Sequence, residues 1–126
     1  MLEYLVNNLS NHNMKTEAKE FLGKKVEIII DRPVGSTHPK HGFLYPVNYG
    51  YVPNTVAPDG EEIDAYFLGV DEPVKTAEGI CIAVIHRLND DDDSLVVVPE
   101  GLEIKDEEIG RAVEFQEQFF KFKIIK

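Results

Sequence analysis

Five short apolar segments, each closed by Gly, Pro or Asp, set the strongest limit on how this chain can fold. Residues 26–30 are a β-branched run ended by Pro33 and Gly35, and residues 45–52 alternate Tyr45, Val47, Tyr49 and Tyr51. Residues 63–70 stop at Asp71-Glu72-Pro73, while 79–85 and 95–98 flank Asn89-Asp90-Asp91-Asp92-Asp93. Such runs are too short for helices and are rich in residues that fit a pleated surface, so they predict strands. Five strands with this punctuation predict a small barrel or sandwich. A helix follows them: Asp106 is placed as its N-cap, Glu107 and Glu108 suit its positive end, and Ile109, Val113 and Phe120 share a face. Phe119, Phe122, Ile124 and Ile125 form an apolar tail.

Before the first strand, Leu2, Leu5, Val6 and Leu9 make a helical stripe that Asn11-His12-Asn13 interrupts. Lys15 to Leu22 resumes with good helix formers and stops at Gly23. The expectation is one domain over 1–126, with a helical N-terminal extension at 1–22 and a barrel plus helix at 24–126. A chain of 126 residues is large enough for a single core.

A formal charge of −10 excludes a basic face for nucleic acid. It also leaves few cations to hold an anionic ligand, a shortage that divalent metal in an acidic loop would reverse. Cys81, the single cysteine, excludes an internal disulfide and fits a reducing compartment as a buried thiol. No apolar run approaches the ~18 residues of a membrane span, and no signal-peptide pattern is evident, so a cytoplasmic location is expected.

Asp59-Gly60-Glu61-Glu62-Ile63-Asp64 places four carboxylates in six residues, directly before a predicted strand. Glycine permits a tight turn, so Asp59, Glu61 and Asp64 can converge as oxygen ligands for a hard cation such as Mg²⁺. An isolated acidic turn is more often simply solvated. The tyrosines just upstream offer neutral phenol donors to phosphate oxygens, although tyrosine is also common in strands for packing alone. The aspartates at 90–93 repel one another unless counter-ions lie between them, and a solvated hairpin tip is the ordinary fate of such a run. A lone histidine is more often a surface or core residue than a ligand; His38 and His41 flank Lys40 and, when protonated, could supply cations.

Taken in order, Y-P-V-N-Y-G-Y followed by D-G-E-E-I-D-A resembles the soluble (family I) inorganic pyrophosphatases in a short, divergent form. Their pattern reads Y-P-x-N-Y-G-[YF]-[IV], then D-G-D-P-[LIV]-D-[VA]. Residues 29–36 with Lys40 resemble the family's first strand and its G-S-x-x-K-Y-E segment. Residues 94–99 resemble D-x-K-L-V-A-V-P, and residues 113–119 resemble the helix H-F-F-E-H-Y-K. The similarity runs from 24 to about residue 122. It implies a five-stranded OB-type barrel with flanking helices, and Mg²⁺-dependent (or Mn²⁺-dependent) hydrolysis of pyrophosphate to two phosphates by metal-activated water. Carried over position by position, Asp59, Glu61, Asp64, Asp92 and, nearby, Asp90 or Asp91 are the metal ligands. Asp59, Glu61 and Tyr49 are the catalytic set, with Glu61 at the water-orienting position. Lys40, Tyr45 and Tyr49 bind phosphate, and Arg32 could substitute, only by a different route, for the family's phosphate-binding arginine.

The departures are specific. Glu61 stands where the family has Asp, and Glu62 where it has Pro. His41-Gly42 replaces Tyr-Glu after Lys40, and a hairpin bearing an arginine is missing before Tyr45. Ser94 replaces a lysine, and the helix's Tyr-Lys pair reads Phe119-Phe120. Lys121 lies about 100° further round a helix and is no equivalent. The acidic loop is kept while phosphate-binding cations are lost. Three readings therefore stand: a trimmed pyrophosphatase taking a small phosphate substrate, a hydrolase of another small phosphate or diphosphate, and a non-catalytic OB-type module that senses metal or phosphate. A homo-oligomer is possible in each.

Overall fold

The computed structural model describes residues 16–90 and 92–126. Six strands are present among them: β1 Lys25–Arg32, β2 Asn48–Val52, β3 Ile63–Phe67, β4 Thr76–Arg87, β5 Ser94–Val98 and β6 Phe122–Ile125. The helix α1 spans Asp106–Glu117, and a 3₁₀ turn covers Ala18–Phe21. The strand order β1-β2-β3-β5-β4, with β4 returning to β1, closes a five-stranded barrel of the OB type. β6 adds outside the ring: β4 pairs β1 through residues 76–80 and β6 through residues 84–87, on the edge that β1 has left free.

The residue pattern explains which faces are covered. β1 alternates exposed and buried positions, with Val26, Ile28 and Ile30 inside and its other face in water. β5 is buried at all five positions, because Leu95 and Val97 point into the barrel while Val96 and Val98 pack under α1. A strand covered on both faces loses alternation and reads as an unbroken apolar run. β4 serves both layers through a bulge between Cys81 and Ala83: Cys81 faces the interior, while Ala83 and Ile85 face α1. Burial raises the Cys81 thiol to about 11, so it is an inert core residue.

Two devices hold β2 in place. Gly50 lies so close to β1 that a Cβ there would sit 1.8 Å from the carbonyl oxygen of Ile29. Asn48 is fully buried; its amide donates to the carbonyls of Val70 and Glu72 at 3.2 and 3.0 Å. Its Oδ1 accepts the Val34 N–H at 3.1 Å and the Val74 N–H at 3.4 Å, tying β2 to two loops.

The structure moves several expected boundaries. Tyr45 lies outside β2, whose first residue is Asn48, and residues 68–70 leave β3 for a turn. Asp106 is the first helical residue; the N-cap is Lys105, without a side-chain bond. Phe120 lies beyond the last turn of α1, leaving Ile109 and Val113 as its buried apolar stripe. The apolar tail becomes β6. Residues 1–15, which include the Leu2–Leu9 stripe and Lys15, lie outside the described residues, as does Asp91; of the described residues 16–22, Ala18–Phe21 forms the 3₁₀ turn. Gly23 ends that turn at φ 79°, as a C-terminal glycine should.

Candidate active site

Strand register brings the distant acids to one end of the barrel. Asp64 pairs with Tyr51 on one side and Ser94 on the other, and Ser94 pairs with Ile85 of β4. Asp64 on β3, Asp92 just before β5 and Arg87 at the end of β4 therefore meet at the same rim. The loop before β3 is fastened there: Thr55 Oγ1 donates to the carbonyl of Val52 (2.7 Å) and accepts the Ile63 N–H (2.9 Å). Asp59 Oδ1 accepts the Glu61 N–H at 2.9 Å across Gly60, which has φ 90°. Asp59 is exposed, and its side chain is tied to its own turn.

The carboxylates feel one another. Burial, followed by the charge of Asp92 and then of Asp59, raises Asp64 to about 7; Tyr49, against its carboxyl, and Arg87 oppose the rise. Asp92 is raised by burial and by Asp59, with Arg87 again opposing. Among the described residues no group of three or more His, Cys, Asp or Glu side chains stands close enough together to hold a metal ion as they are. Asp59, Asp64 and Asp92 instead form an open, mutually repelling set of oxygen donors, the donor chemistry that a hard divalent cation neutralises. Glu61 is exposed on the turn and outside the cavity lining, and Asp90 caps its own run by accepting the Asp92 N–H at 3.0 Å.

A cavity of about 380 Å³ opens on the barrel's outer face, beside the C-terminal end of α1. Tyr49, Asp64, Arg87 and Gln116 line it, with an aromatic wall on the other side. Tyr49 is raised well above the ordinary phenol value by burial and by Asp64, so it stays a neutral O–H donor. Tyr45 is 3% exposed, stacks on Tyr49 at 5.6 Å and donates its hydroxyl to Gln116 Oε1 at 3.2 Å. Gln116 in turn donates to the Tyr66 hydroxyl (2.8 Å), which donates to Glu117 Oε2 (2.6 Å). Tyr45 thus begins a buried chain of bonds and does not line the cavity.

That chain ends on Arg87, which sequence reasoning missed. Its guanidinium grips the fully buried Glu117 with Nε–Oε1 2.9 Å and Nη2–Oε2 3.1 Å. Nη1 reaches Asp92 Oδ2 at 3.5 Å and Asp90 Oδ2 at 3.6 Å, and the Phe120 ring covers the guanidinium carbon at 3.7 Å. Burial lowers the Arg87 pKa, but the Glu117 bonds and charge more than offset this and raise it, so the group stays charged. The available signal was weak: an arginine ending an apolar run, and a glutamate two residues before a Phe-Phe pair. Among the described residues no buried side-chain nitrogen or oxygen is left without a partner. Lys40 and Arg32 stay outside the cavity lining; Lys40 is exposed, Arg32 donates to its neighbour Asp31's carbonyl at 3.0 Å, and both charges reach His38.

An OB-type barrel with an acid-lined end defines the class, and comparison with known proteins supplies the family. The inorganic pyrophosphatase family model matches residues 8–121. The chain belongs to the inorganic pyrophosphatase family, a family of hydrolases. The match begins inside the segment that the motif resemblance leaves out. Solved structures share the fold: an inorganic pyrophosphatase from Ehrlichia chaffeensis at 18% identity and TM-score 0.64, covering 83% of this chain and 86% of that one. One from Helicobacter pylori has 17% identity and TM-score 0.60, with 90% and 88% covered. One from Neisseria gonorrhoeae has 21% identity and TM-score 0.58, with 81% and 75% covered. No curated protein matches the chain.

Proposed function

We propose that this protein hydrolyses pyrophosphate to two phosphates with Mg²⁺ (Mn²⁺ substituting) at the rim formed by Asp59, Asp64 and Asp92. The observation that carries the reading is the gathering of these acids at one rim: burial first, and then the charges of Asp92 and Asp59, raise Asp64 to about 7 beside a cavity of substrate size. Bound there, divalent metal would supply an activated water and a charge clamp on the phosphoanhydride. The chain's own groups do the rest. Tyr49 keeps its proton and donates to a phosphate oxygen. Arg87 turns one edge, Nη1, toward the acids while Glu117 fixes the other two nitrogens, giving an oriented cation in place of mobile lysines. Lys40 and Arg32, whose charges reach His38 on the cavity wall, would serve only as outer cations for the departing phosphate. Glu61, on the turn that Asp59 caps, takes the water-orienting role on the strength of the motif resemblance alone, since it is exposed and outside the cavity lining. No helix among the described residues is long and apolar enough to cross a membrane, and a cytoplasmic enzyme on a small phosphate substrate fits that.

Calorimetric titration of the protein with Mg²⁺ tests the metal site apart from turnover. Asp64→Asn and Asp59→Asn should each weaken Mg²⁺ binding by at least tenfold while leaving the far-ultraviolet circular dichroism unchanged. Unaltered Mg²⁺ binding in both variants would show that the acidic rim holds no cation.

A further inference from the structure

The wall facing the acids is aromatic where a site for a small anion would carry cations. His38, His41, Phe43, Phe119 and Phe120 form it, and no aliphatic side chain lines the cavity among the described residues. Phe119 is 62% exposed, with its ring nearly parallel to His41 (6.0 Å, 25°) and to Phe43 (6.5 Å, 23°). An aromatic ring left mostly in water gains little for folding, and at a cavity mouth it offers a flat face to a ligand. His38 presents a neutral ring: its Nδ1 accepts the backbone N–H groups of Lys40 and His41 at 3.0 and 3.1 Å, so that nitrogen carries no proton. Arg87 is engaged by Glu117 and covered by Phe120. Pyrophosphate bound at the acidic rim would leave this wall untouched.

We propose that the wall is a stacking site for the base of a nucleoside diphosphate, and that nucleoside diphosphates are the substrate class of this cavity. The inference rests on the acidic rim for the phosphate end, as proposed above. The base lies on Phe119, and the terminal phosphate reaches Tyr49 and Asp64. Aromatic side chains accept any base by its π-face, so the site discriminates base-bearing from bare diphosphate and little among bases. In the reaction the oxygen of water bonds to the β-phosphorus, and the bond from that phosphorus to the bridging oxygen breaks. The bridging oxygen keeps the electron pair and leaves on the nucleoside monophosphate, and one proton passes to solvent. An isoprenoid diphosphate is the competing ligand for the same wall, since its chain can pack on the rings but offers no flat π-face to stack.

The test uses the full chain with ADP, pyrophosphate and dimethylallyl diphosphate. Proton NMR of ADP without metal reads stacking, and phosphate release with Mg²⁺ reads turnover. Upfield shifts of the adenine H2 and H8 signals are expected, with a kcat/KM for ADP above that for pyrophosphate. Phe119→Ala should raise KM for ADP about tenfold, the loss of one base–aromatic stack, and so lower the ADP-to-pyrophosphate ratio of kcat/KM. Hydrolysis of pyrophosphate with no adenine shift and no ADP turnover would overturn the base site and leave the pyrophosphatase reading standing. Adenine shifts with turnover of ADP alone would sustain the base site and replace pyrophosphate as substrate. Adenine shifts without turnover of either would overturn the proposal, because the nucleoside diphosphate would then be a ligand and not a substrate. Faster turnover of dimethylallyl diphosphate than of ADP, or silence in every assay, would overturn the proposal.

Discussion

Asp64 shows how one carboxyl can be made expensive to ionise and useful for that reason. Its folded pKa of about 7 lies above the ordinary 3.8, so the folded state holds a proton that the unfolded chain releases. Stability from this group is therefore complete below about pH 4 and is lost as pH rises to about 7. In protein stripped of divalent cations by chelator, urea denaturation should show stability falling across that window and levelling above it, by up to a few kcal/mol. Asp64→Asn should flatten the curve; an unchanged slope would mean that burial and the neighbouring acids do not raise Asp64 in the folded state. Glu117 carries the opposite lesson, since its charge is buried only because Arg87 is there. Glu117→Ala strands a buried guanidinium and the Tyr66 hydroxyl, and should cost about 3–5 kcal/mol in urea denaturation. Glu117→Gln, which keeps an acceptor for Tyr66, should cost less. Equal stability for all three proteins would show that the buried network carries no weight.

At the scale of elements, the legible features were those with a short-range cause. The five apolar runs became the five barrel strands, because β-branched residues between turn residues have few other ways to bury themselves. The sixth strand was not legible: Phe122–Ile125 is four residues long and pairs only because β1 leaves half of β4's edge open. The Asp59 turn could be read from D-G, but the convergence of Asp64, Asp92 and Arg87 is set by register across three strands. No local pattern encodes that register. Gly50 tests the element scale directly. A methyl there would meet the Ile29 carbonyl, which is backbone and cannot swing aside, so β1 and β2 must separate. Gly50→Ala should cost about 3 kcal/mol or more, read as a fall in the thermal midpoint, and a change of only a degree or two would contradict the close approach.

For the molecule as a whole, a small barrel provides the rigid rim, α1 covers the sheet and brings Glu117 to Arg87, and the acidic loops supply the charge. The net charge of −10 is consistent with this arrangement, because a protein that meets an anionic substrate through metal needs acids at the site and few free cations. The motif resemblance, the family match over 8–121 and the acids gathered at one rim point to the same chemistry. Phosphate release from pyrophosphate with and without Mg²⁺, on the wild-type chain and on Asp64→Asn, tests that chemistry most directly. The account predicts Mg²⁺-dependent release by the wild type and at least a hundredfold loss in Asp64→Asn, on the scale of about 3 kcal/mol of lost transition-state stabilisation. Equal rates in the two proteins at saturating Mg²⁺ would contradict it.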